Sequence, residues 1–200
     1  GDVYKRQVLN RPINPNVYIT LTDHINFALE RYKQKMMFSN PLIREVRSFY
    51  HAEYLIGEYA IAMIERGLGV KLPVDEAASI ALHIVNAEYD ALMGDTIKIT
   101  NLIQQVLEVV REYFSIELDE QSLSYERFIT HLRFLAQRVF TGEHMNLDNL
   151  EFQEVIDRLY PEEYACSQKI QALIKLQYRH QVTEEEVAYL ALHIKRIRTK

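Results

Sequence analysis

Apolar positions recur three and four residues apart over nearly the whole chain, the spacing of one face of an α-helix. The first stripe, Leu21, Ile25, Ala28, Leu29 and Tyr32, predicts a helix over about 20–37, opened by Thr20 with Asp23 three positions on. Asn40-Pro41 places a capping residue before a first-turn proline, so a second helix is expected to run to about residue 50. A third, over about 53–66, ends at Gly67 and Gly69, residues that accept the left-handed backbone of a helix terminus. A fourth, over about 74–89, turns Ala77, Ile80, Ala81 and Ile84 inward. Met93-Gly94-Asp95-Thr96 then reads as a domain break. Beyond it, Leu102, Ile103, Val106, Val109, Val110 and Tyr113 line a strongly amphipathic helix over 97–114. Helices follow over about 120–140 (ending at Thr141-Gly142), 148–159, 162–178 and 184–198. The last opens with Thr183-Glu184-Glu185-Glu186, a capping-box pattern. Nothing alternates as a strand would, so the chain reads as all-α.

The helices repeat. The segment 22–31 overlays 129–138 at an offset of 107, aligning His24 with His131, Phe27 with Phe134 and Arg31 with Arg138. At an offset of 110, residues 75–84 overlay 185–194, with Ala-Leu-His-Ile identical at 81–84 and 191–194. Glu53-Tyr54 and Glu163-Tyr164 also coincide at 110. Two homologous helical bundles in tandem are therefore expected, residues 1–94 and 95–200. The first copy has no equivalent of the helix 97–114, since the same offset puts it at or before residue 7, and residues 1–7 do not resemble it. The first bundle is thus expected to be N-terminally truncated, with apolar surface left uncovered.

Composition narrows the function. Forty-eight per cent apolar residues support packed cores. Net charge is −5, with 12 acidic against 11 basic residues in 1–100 and 16 against 12 in 101–200. A nucleic-acid binder needs a basic face to replace counterions on phosphates. The only basic cluster, Lys195, Arg196, Arg198 and Lys200, reads as a solvated helix end complementing the macrodipole. Cys166 is the sole cysteine, which rules out an intrachain disulfide and fits a reducing cytoplasm. No secretory signal or membrane-length apolar run is seen, so a cytoplasmic protein without membrane insertion is expected.

Of seven histidines, four recur in both copies, His24 with His131 and His83 with His193. His51, His144 and His180 fall opposite other residue types and read as surface or local hydrogen-bonding groups. His24 and His131 lie beside the apolar stripe of their helices, where a core histidine is the plain alternative. Recurrence at two positions in both copies favours chemistry, because packing alone accepts many residue types there. If the two histidine helices of a copy face each other, each bundle holds a pair. Such a pair can ligate metal, exchange protons or accept a group through a neutral ring nitrogen. Metal ligation calls for further donors at short spacing, and neither helix has a second histidine. Asp23 beside His24 is matched by Thr130, so that couple does not repeat. No Ser-His-Asp set, glycine-rich phosphate loop or paired-carboxylate motif is present, so no catalytic residue, cofactor or metal is expected. Group acceptance remains. A phosphoryl group there brings about −1.5 to −2 charges beside an apolar face and changes how helices or subunits pack.

At these residues the sequence resembles the PTS regulation domains (PRDs) of bacterial transcriptional antiterminators of the BglG/LicT family. The stretches that carry the resemblance are Leu21-Thr22-Asp23-His24-Ile25-Asn26-Phe27-Ala28, Ile80-Ala81-Leu82-His83-Ile84-Val85-Asn86-Ala87-Glu88, Phe128-Ile129-Thr130-His131-Leu132-Arg133-Phe134-Leu135-Ala136-Gln137-Arg138 and Leu190-Ala191-Leu192-His193-Ile194. The resemblance implies two bundles, PRD1 then PRD2, that form a homodimer and are phosphorylated on His24, His83, His131 and His193. It implies as donors the histidine phosphocarrier protein and a sugar-specific enzyme II, with aryl-β-glucosides as the expected inducers. PRD1 phosphorylation is generally inhibitory in the family, and PRD2 phosphorylation is often activating. The family's RNA-binding domain is not in this sequence, so RNA contact is expected only through that domain. Two other readings stay open at this stage: PRDs of a DNA-binding activator, and a helical metallohydrolase using His24, Asp23 and His83.

Overall fold

A computed structural model of the chain describes residues 13–36, 38–89, 93–142 and 150–199. Every regular element among the described residues is an α-helix. The chain divides into two compact units, Gly1–Lys98 and Ile99–Lys200. The first contains α1 (Val17–Lys33), α2 (Ile43–Phe49), α3 (His51–Leu68) and α4 (Asp75–Tyr89). Helix α5 (Met93–Phe114) crosses the division. The second unit continues with α6 (Leu123–Thr141), α7 (Leu150–Leu159), α8 (Pro161–Tyr178) and α9 (Glu184–Arg198).

Each unit is built round its second histidine helix. In the first, α4 packs against α1, α2 and α3. Ala77, Ala78, Ile80, Ala81, Leu82, Ile84 and Val85 are all buried on α4, an apolar girth that only a central helix has. Ile80 and Ile84 gather Leu21 from α1 and Ile56 and Ala60 from α3. In the second unit α9 packs against α6, α7 and α8, with Val187, Leu190, Ala191 and Ile194 fully buried. The first histidine helices differ. Helix α6 buries Tyr125, Phe128, Ile129, Leu132, Leu135, Ala136 and Val139, whereas α1 buries only Ala28. Tyr32, expected in the apolar stripe of α1, is exposed, as are Tyr18, Ile19 and Phe27.

Local chemistry accounts for several helix ends. Asn40 caps the turn before α2, its side-chain oxygen accepting from Leu42 N–H at 2.9 Å. Gly69 (φ 67°) and Gly142 (φ 74°) end α3 and α6 in the left-handed region. Helix α1 starts at Val17, ahead of the expected Thr20, and Thr20 and Thr22 turn their hydroxyls back to the Val17 and Tyr18 carbonyls. The Met93–Thr96 stretch, read as a break, is the first turn of α5, where Thr96 is buried and its hydroxyl donates to the Asn86 side-chain oxygen. The expectation of a truncated first bundle concerns residues 1–7 and lies outside the described residues, as does His144. At α9 the capping box forms in full: Thr183 Oγ1 accepts from Glu186 N–H at 3.3 Å, and Glu186 Oε2 accepts from Thr183 N–H at 3.1 Å. Thr183→Ala is expected to cost the second unit about 1 kcal/mol, read as a lower urea midpoint. An unchanged midpoint would show that the box carries no stability.

One residue of the basic tail, Arg198, is not left to solvent, whereas Arg196 is exposed as expected. Arg198 lies over the Phe114 ring at 3.7 Å from its centroid and donates to Glu163 at 2.5 Å and Glu162 at 3.2 Å. The cation is held by stacking and charge at once, so Arg198 is a structural clamp of the second unit. Among the described residues, no helix is long and apolar enough to cross a membrane.

Candidate functional site: two histidine pairs

The four recurring histidines come together as two pairs, one within each unit. His24 on α1 faces His83 on α4 with ring centroids 4.9 Å apart and planes tilted by 47°. His131 on α6 faces His193 on α9 at 4.6 Å and 28°, close to stacked. Tyr189 and Phe128 flank the second pair, with centroids 6.4 Å from His131 and 6.0 Å from His193. All four rings are half-buried, with His24 15% exposed at its side chain. Helical spacing put these residues beside the apolar seam, and the seam brings each pair face to face. Of the other histidines, His51 is exposed and His180 is buried.

Burial decides their protonation. Desolvation, and then the charge of His24, hold the His83 ring down at about 4. Desolvation, then His193 and Arg138, push His131 down to about 3. His193 is lowered by burial and by Arg196. These three rings are neutral at pH 7 and each offers one nitrogen lone pair. His131 Nε2 and His193 Nδ1 are buried and make no hydrogen bond.

A buried carboxylate and an arginine stand beside each pair, and sequence reasoning gave neither a role at the histidines. Glu76 sits in the first turn of α4 with its side chain only 2% exposed; Oε2 lies 3.0 Å from His24 Nε2 and Oε1 accepts from Arg31 Nη2 at 2.8 Å. Burial raises the Glu76 carboxyl, but hydrogen bonds from His24 and Arg31 outweigh it and hold the group below its ordinary value. In the second unit Glu186 accepts from Arg138 Nε and Nη2, both at 2.8 Å. Arg31 and Arg138 coincide at the offset of 107, and Glu76 and Glu186 at 110. Those coincidences were the available signal. Acidic residues in a first helical turn, however, also serve the macrodipole, which masks a second role.

The arrangement suits group acceptance better than hydrolysis. Asp23, invoked for a metal couple, is exposed. Among the described residues, no three His, Cys, Asp or Glu side chains cluster so as to hold a metal ion.

The PRD domain model matches twice, over residues 5–87 and 104–197, each match containing one histidine pair. The chain belongs to the BglG/LicT family of PRD antiterminators. Its relatives include the transcription antiterminator LicT of Bacillus subtilis (strain 168), 42% identical over 97% of this chain and 70% of the relative. The beta-glucoside operon antiterminator of Dickeya chrysanthemi is 40% identical over 98% and 69%. Protein GlcT of Staphylococcus aureus (strain Newman) is 35% identical over 88% and 62%. The two PRDs are thus a regulatory module of transcription antitermination, and not an enzyme. The family is linked to the sugar phosphotransferase system.

Proposed function

We propose that these PRDs, placed at 1–94 and 95–200, form a phosphorylation-controlled dimerisation module that governs the RNA-binding domain of a cytoplasmic antiterminator. His24, His83, His131 and His193 are the acceptors, and phosphocarrier protein and a sugar-specific enzyme II are the donors. The 40% identity to a protein named for the beta-glucoside operon supports aryl-β-glucosides as the inducer class.

One observation carries the reading: imidazoles that recur in both units meet as pairs at 4.9 and 4.6 Å. A phosphoryl group on one ring places a near-dianion against its neighbour. The Arg31 and Arg138 guanidiniums, now spent on Glu76 and Glu186, are nearby cations able to turn to it. That exchange pulls on the first turn of α4 or α9, the central helix of its unit, and so reaches every surface packed on it. The exposed apolar residues Tyr18, Ile19 and Phe27 on α1 support a partner chain on the first unit.

The test is phosphorylation with phosphoenolpyruvate, energy-coupling enzyme, phosphocarrier and enzyme II, comparing the parent with His24→Ala, His83→Ala, His131→Ala and His193→Ala. Each substitution is expected to remove the acid-labile phosphate at its own position and to alter the monomer–dimer ratio of the phosphorylated protein. Absence of phosphate from all four positions in the parent would reject the reading.

A further inference from the structure

The two histidine sites differ in one oxygen atom. Glu76 and Glu186 occupy equivalent places, and each gives Oε1 to its arginine. In the first unit Oε2 meets His24 Nε2 at 3.0 Å. In the second unit Oε2 instead accepts from the backbone N–H of Thr183 at 3.1 Å and from its hydroxyl at 3.4 Å. The equivalent ring atom, His131 Nε2, is left buried without a hydrogen bond. The cause lies three residues upstream. Thr183 coincides with Pro73 at the offset of 110, and proline has neither a backbone N–H nor a hydroxyl to engage a carboxylate. The Glu76 oxygen has no capping partner at that position and is available to the histidine.

We propose that Glu76 is a positioning residue that fixes the tautomer of His24, and that the second unit lacks this device because Thr183 withholds Glu186 from His131. This rests on His24 being a phosphoryl acceptor, but the tautomer can be read without phosphate. An ionised carboxylate only accepts hydrogen bonds, so His24 Nε2 carries a proton, and in the neutral ring Nδ1 holds the lone pair. Nδ1 is then the atom that attacks. Its lone pair forms the new N–P bond as the N–P bond of a donor phosphohistidine breaks. The bonding pair goes to the donor ring, which leaves as neutral imidazole when its other nitrogen is protonated. His24 Nε2 keeps its proton, and Glu76 faces the positive charge that the ring acquires. No proton has to leave the site. At His131 no carboxylate selects a nitrogen or meets that charge, so the two units are chemically unequal acceptors.

Nitrogen-15 NMR of the unphosphorylated chain with labelled histidines tests this. The parent is expected to show His24 in the Nε2–H form alone. Glu76→Ala should turn it into a mixture of tautomers, with the dispersion of the remaining signals reporting the fold. Pro73→Thr keeps the carboxylate but supplies the N–H and hydroxyl that Thr183 supplies, and should also produce a mixture. Thr183→Ala should leave His24 as it is. A parent His24 in the Nδ1–H form, or one unmoved by Glu76→Ala, overturns the proposal; one unmoved by Pro73→Thr overturns the role given to the cap. After phosphotransfer, phosphate on His24 is expected at Nδ1, and phosphate at Nε2 overturns the assignment. If His24 takes no phosphate while its tautomer behaves as described, the acceptor role fails and the positioning role stands.

Discussion

Gly57→Ala is expected to cost the first unit about 3 kcal/mol, at the upper end of what overpacking a close contact usually costs. A Cβ built on Gly57 of α3 would lie 2.2 Å from the carbonyl oxygen of Ala77 and 2.9 Å from its carbonyl carbon on α4. Those atoms are backbone, so no rotamer change relieves the clash and the two helices must part. Helix α4 carries His83 and Glu76, so parting it from α3 also disturbs the site. The second unit supplies the control. Ser167 and Val187 stand in the equivalent positions, and buried Ser167 donates its hydroxyl to the Glu163 carbonyl at 2.9 Å. Ser167→Ala there should cost no more than about 1 kcal/mol, the worth of one hydrogen bond. Hydrogen exchange separates the units: amide protection in α3 and α4 should fall in Gly57→Ala while α8 and α9 keep theirs. Undiminished protection in α3 and α4 would contradict the close approach.

Acid should weaken the second unit well before its carboxylates titrate. His131 has its folded value near 3, against about 6.5 when unfolded. Above pH 6.5 neither state binds the proton and the neutral ring costs nothing. Below it, the unfolded chain takes up a proton that the fold refuses, so stability falls as pH falls and goes on falling to about 3. At about 1.4 kcal/mol per unit, His131 alone accounts for a loss on the order of 3–5 kcal/mol across that window. His193, also lowered, and His83 in the first unit, near 4, act in the same direction. Glu76 is held below the usual 4.5, so its own contribution is lost only at lower pH. The range between pH 6.5 and 5 therefore belongs to the histidines. Urea midpoints followed over that range should drop in the parent, and the slope should shrink in a His83→Gln, His131→Gln double variant. A flat parent profile would mean that the rings are not kept neutral by the fold.

That same refusal of protons suits an acceptor. A protonated imidazole has no lone pair to offer a phosphorus atom, and taking the His83, His131 and His193 rings out of water keeps them nucleophilic at neutral pH. The geometry that costs stability in acid is thus what makes the pair usable. The two units nonetheless differ. Helix α1 is thinly buried and its His24 is tied to Glu76; α6 is deeply packed and its His131 is free of any carboxylate.

Much of this was legible from the chain alone, because it depends on neighbours in sequence. Helical periodicity, the glycine stops at Gly69 and Gly142, the Thr183 capping box and the doubling of the histidines need only spacings of a few residues or a fixed offset. The family followed from those repeated stretches. Packing decided the rest. Which oxygen of Glu76 meets His24, 52 residues away, and which arginine shares it, depends on the faces that α1 and α4 turn to each other. The small residue at Gly57 matters only because another backbone passes within reach of its missing Cβ. Arg198 looked like one more charge on a helix end until Phe114 and two glutamates closed round it. A charged side chain reads the same in a sequence whether water or a buried partner solvates it. Only the fold, by removing water from one side of a helix, determines which of the two it has.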